Sequence, residues 1–112
     1  MTHTRVILDT SRITDWRSFH AEMADAFGFS ESCEQNMDAW TDCLDELDKP
    51  AGEMTKVHAP PGGVILLELL KARDFAERCP LLHATLIECL GFVNHRRLEE
   101  GKEPVLCLSC PP

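Results

Sequence analysis

The sequence predicts an α/β fold, a three-stranded parallel sheet with about four helices. Three observations carry that expectation. Apolar runs of strand length occur near residues 5–8, 64–70 and 105–109. The stretches between them repeat apolar residues at steps of three and four, the period of a helix face. Helical connections between successive strands imply a parallel sheet with right-handed crossovers. At 112 residues the chain has the usual size of one domain, and residues 1–112 are read as one unit.

Each element has its own signal. Arg5 to Leu8 reads as a strand around Val6-Ile7-Leu8. Thr14 can cap a helix with Asp15 in its first turn. Trp16, Phe19, Met23 and Phe27 then lie on one face, and Gly28 is a stop. Met37, Trp40, Leu44 and Leu47 mark a second helix, closed off by Pro50. Residues 51–63 are rich in glycine and proline and read as a long loop. Val64 to Leu70 is continuously apolar, the pattern of a strand covered on both faces. A short helix is expected over Arg73 to Arg78. Pro80 suits the first turn of the next helix, which has a stripe of Leu82, Leu86, Leu90 and Val93 and ends at Gly101. Pro104 precedes the last strand, Val105 to Ser109.

Composition narrows the function classes. Hydrophobic residues make up 44%, and the formal net charge is -8. The first supports folding. The second disfavours free nucleic acid and anionic membrane as partners and suits a basic protein. The start, Met1-Thr2-His3-Thr4-Arg5, has no apolar run of signal-peptide length. A cytoplasmic location is therefore expected, and with it six reduced cysteines. Cys107-Leu108-Ser109-Cys110 has redox spacing, yet no helix follows it to lower a thiol pKa. No second close pair completes a zinc site. The histidines fall in no metal motif, and Pro60-Pro61-Gly62-Gly63 precedes a strand rather than opening a helix, unlike a phosphate loop. Catalytic residues, metal and cofactor are all expected to be absent.

Charge placement is the most informative feature. Between Arg17 and Lys49 there is no Lys or Arg. That stretch carries Glu22, Asp25, Glu31, Glu34, Asp38, Asp42, Asp45, Glu46 and Asp48. Asp38, Asp42 and Asp45 stand at i, i+4 and i+7, roughly opposite the apolar stripe. Like charges at i, i+4 repel, and no nearby base in the sequence relieves them. Arg96-Arg97 reads only as a basic spot near a helix C-terminus. Two readings fit the acids: a solvated helix face, or a surface waiting for a cationic partner.

At these residues the sequence resembles the barstar family of intracellular ribonuclease inhibitors. The resemblance centres on Asn36-Met37-Asp38-Ala39-Trp40-Thr41-Asp42-Cys43-Leu44. The family pattern is Asn, apolar, Asp-Ala, two mostly apolar or aromatic positions, Asp-Cys-Leu. A weaker likeness runs from about Arg5 to Ser109. The resemblance implies strand order 1-2-3, with Val64–Leu70 in the middle. It implies a one-to-one complex with a basic ribonuclease, in which Asp38 and Asp42 enter the active site. Thr41 would lie in the contact, with Asp45 and Glu34 in support. The glutamate that the family presents from its last helix falls near Asn94 or His95. Two other readings are a barstar-like module for a non-nuclease partner, and a small cysteine-based redox or metal-binding protein.

Overall fold

A computed structural model describes residues 2–29, 33, 37–48 and 55–111. Its elements follow the expected order: β1 (His3–Asp9), α1 (Trp16–Phe27), α2 (Met37–Leu44), β2 (Val64–Leu70), α3 (Ala72–Arg78), α4 (Pro80–Glu99) and β3 (Leu106–Ser109). A short 3-10 turn, Thr10–Arg12, follows β1. The three strands form a parallel sheet in the order β1-β2-β3. Val6 stands opposite Leu67, and Ile65 opposite Leu106. The middle strand is the most apolar one, as a strand with neighbours on both edges should be.

Local chemistry sets the helix boundaries. Asp15, one residue later than the expected Thr14, caps α1 by accepting from the Ser18 amide at 2.8 Å. Ser18 Oγ in turn accepts from the Asp15 amide at 3.0 Å, which completes a capping box. Gly28 ends α1 with φ of 67°. A Cβ there would meet Lys56 Cβ at 2.6 Å, so both the dihedral and the space call for glycine. Pro80 opens α4 in its first turn.

The helices and the sheet share one core. Phe19, Met23 and Phe27 of α1 are buried in it with Trp40, Leu44 and Leu47. So are Leu82, Leu86, Leu90 and Val93 of α4, and Val6, Leu8, Ile65, Leu67 and Leu69 of the sheet. Two expectations need correction. Trp16 begins the stripe of α1 but is 40% exposed. Strand β2 is fully buried on one face only, because Val64, Leu66, Glu68 and Leu70 alternate as half-buried residues.

Candidate partner-binding site

Helix α2 presents two faces. Trp40, Cys43 and Leu44 are buried, and Trp40 lies against Phe19 of α1 with ring centroids 5.6 Å apart. Asp38 and Asp42 are exposed on the opposite side, one turn apart. Asp38 sits in the first turn, where the helix dipole favours a negative charge. Among the described residues it has no ion pair. The helix tightens after Leu44 into turns with Glu46 N donating to Cys43 O and Leu47 N to Leu44 O. Leu47 thereby still reaches the core.

Asp42, Asp45 and Asp48 are not left without bases, contrary to the expectation from the sequence. Arg96 and Arg97 of α4 come to them from about fifty positions downstream. Arg96 Nη1 lies 3.2 Å from Asp42 Oδ1, and Arg96 Nη2 lies 3.6 Å from Asp45 Oδ2. Arg97 is 4% exposed. It donates from Nη2 to Asp48 Oδ2 at 2.8 Å, from Nη1 to Asp45 Oδ1 at 3.3 Å and from Nε to the Glu103 carbonyl at 2.8 Å. Burial pulls the Arg97 pKa down, but Asp48 and Asp45 more than offset it and the net shift is upward. A buried cation needs such partners, since its desolvation cost is otherwise uncompensated.

The expected site residues therefore separate. Asp38 and Asp42 stay open to a partner, and the Asp42 side chain is 70% exposed. Asp45 is mostly covered and turned to Arg97. Thr41 is 7% exposed and shares a hydrogen bond with the Cys89 thiol, so it lies beneath the face rather than on it. Burial pushes the Cys89 thiol up, and the bond to Thr41 works against that. Glu34 and Asn36 lie outside the described residues. Asn94 is committed to the fold: its Oδ1 accepts from the amides of Val105 and Leu106, and its Nδ2 donates to the Leu106 carbonyl. His95 is exposed and pairs with Glu99 at 3.1 Å.

The cysteines also differ from expectation. Cys33 and Cys43 form a disulfide with Cα atoms 6.0 Å apart, so these two are not reduced. Both are buried. The bridge closes a ring that contains Glu34, Asn36, Asp38, Thr41 and Asp42, which is most of the acidic motif. Cys79, Cys89, Cys107 and Cys110 are free. Among the described residues no group of three His, Cys, Asp or Glu side chains could hold a metal ion. No helix among the described residues is long and apolar enough to cross a membrane. A cleft between residues 59–63 and 102–104 is lined in part by Asp48 and Arg97.

Comparison with known families gives a match to the family described as Barstar (barnase inhibitor), over residues 3–109. Comparison with curated proteins finds no match.

Proposed function

The chain belongs to the barstar family, and from that premise we propose that it binds a basic ribonuclease one-to-one and blocks the active site with α2. One observation carries the reading: Asp38 and Asp42 stand one turn apart on an exposed face whose reverse side is locked into the core. A ribonuclease must gather cations around the scissile phosphate. Two fixed carboxylates can accept charge-assisted hydrogen bonds from those cations and take the places of phosphate groups. The net charge of -8 adds a long-range field that speeds encounter. The chain itself catalyses nothing in this reading and uses no cofactor.

The other acids support rather than touch. Arg97 holds Asp45 and Asp48 against α4, which fixes the C-terminal end of α2 and hence the direction of Asp38 and Asp42. Glu34 falls between the bridged cysteines in the sequence and completes the proposed set. The test is a titration of the ribonuclease recovered from native cells against the chain and its D38A and D42A variants, read both as binding and as nuclease activity. Loss of binding with no effect of the chain on nuclease activity would favour a non-nuclease partner of the same charge.

A further inference from the structure

Arg96 approaches the acidic face from outside α2 and touches it at the exposed Asp42. Its Nη1 is 3.2 Å from Asp42 Oδ1. Its guanidinium carbon sits 5.5 Å from the centroid of the Phe92 ring, and Phe92 is 55% exposed. Its Nε has no hydrogen-bond partner among the described residues. The neighbouring Arg97, itself buried, already pairs with Asp45 and Asp48. The contact of Arg96 with Asp42 is different, since it joins two groups that water reaches. Such a pair contributes little to the fold; it is the second contact of Arg96, 3.6 Å to the mostly covered Asp45, that bears on stability.

We propose that Arg96 is a specificity-determining residue of the binding face: it turns away basic surfaces that offer cations alone and admits a partner that sets an anionic group beside its cations. This rests on the reading that Asp38 and Asp42 form that face. Arg96 lies against Oδ1 of the Asp42 carboxylate, whose side chain is 70% exposed. A cation that approaches this carboxylate gains from Asp42 but comes within a few ångströms of the Arg96 charge. The repulsion at such a separation costs on the order of tenfold in affinity at a protein surface. A partner carboxylate placed against Arg96 removes that cost and adds a charge-assisted hydrogen bond. Juxtaposed like charges are a common way for one interface to refuse a near-match.

The experiment uses the full chain and, as probe, a barnase-type ribonuclease whose active-site rim is basic. Affinity and association rate are measured for the unsubstituted chain, R96A, R96E and R96K. The expected result is a gain of roughly tenfold for R96A, a larger one for R96E and no change for R96K, with the gains shrinking as salt is raised. Equal or weaker binding by R96A and R96E overturns the inference, whether or not the unsubstituted chain binds the probe. D42A, made in both the unsubstituted and the R96E backgrounds, keeps the two failures apart. It weakens binding wherever the face is right, so a D42A variant that binds undiminished counts against the face itself rather than against Arg96.

Discussion

Arg97 of α4 donates to Asp48, just beyond α2, at 2.8 Å, although 49 positions separate them in the chain. The same guanidinium reaches Asp45 and the Glu103 carbonyl. One buried side chain thus ties the end of α2 and the approach to β3 to the last helix.

Removing that side chain should leave Asp45, most of whose surface is covered, with only its longer contact to Arg96. R97A is expected to lose about 3 kcal/mol of stability, the low end for breaking a buried pair, because Asp48 keeps some access to water. R97K should recover only part of this, since an ammonium cannot reproduce the fork of donors. Urea denaturation of the two variants reads the difference, and an R97A midpoint within error of the parent would show that the pairing contributes nothing to the fold.

Asp38 and Asp42 should behave in the opposite way. Each alanine variant is expected to weaken binding to the recovered ribonuclease by about 2–5 kcal/mol, a range for which the barnase–barstar complex is itself a reference case. Stability should change by no more than about 0.5 kcal/mol, as for other exposed positions. Removing either acid also relieves the i, i+4 repulsion between them. Calorimetric titration and denaturation of the same samples separate the two effects. A D42A protein that unfolds readily would mean that its contact with Arg96 matters to the fold after all.

The Cys33–Cys43 bridge predicts a redox effect at the same site. Closing a ring of this size is worth about 2–3 kcal/mol through the entropy of the unfolded chain. Reduction by a dithiol, or the C33S/C43S double variant, is expected to lower stability by that amount. The fold should survive, because the shared core of helices and sheet does not depend on the bridge. Denaturation midpoints with and without reductant, followed by circular dichroism, give the answer, and complete unfolding on reduction would show the bridge to be obligatory.

The cap of α1 predicts a dependence on pH. Hydrogen bonds from the Ser18 amide and then the Ser18 hydroxyl hold the Asp15 pKa below its ordinary value. A depressed carboxylate stabilises the folded state above its unfolded pKa, near 3.9, and loses that effect as pH falls through the folded pKa. The stability difference between the parent and D15A should therefore be level from pH 5 to 7 and shrink below about pH 4. Paired urea curves across that range check the sign, and a difference that grows on acidification would refute it.

Much of this architecture is legible in the chain because it follows from short-range geometry. The spacing of Phe19, Met23 and Phe27, and of Leu82, Leu86, Leu90 and Val93, marks faces that the helix period brings together. Gly28, Pro80 and Gly101 act through their own backbone preferences. The run Val64 to Leu70 and its helical flanks give the parallel sheet. The motif from Asn36 to Leu44 identifies the family, and with it Asp38 and Asp42 as the residues to watch.

Tertiary structure decided the rest. Nothing local to Asp42, Asp45 and Asp48 announces that Arg96 and Arg97 will meet them, because the pairing depends on how α2 and α4 approach. The same approach buries Thr41 against Cys89 and leaves Phe92 open. The pairing of Cys33 with Cys43 depends on where Cys33 lies against α2, which its position in the sequence does not give. Strand β2 could have been covered twice by its composition, but here only its Ile65, Leu67 and Leu69 face is fully buried. Periodicity fixes which residues share a face. What that face meets is set by contacts across the whole chain, where position along the sequence gives no measure of distance.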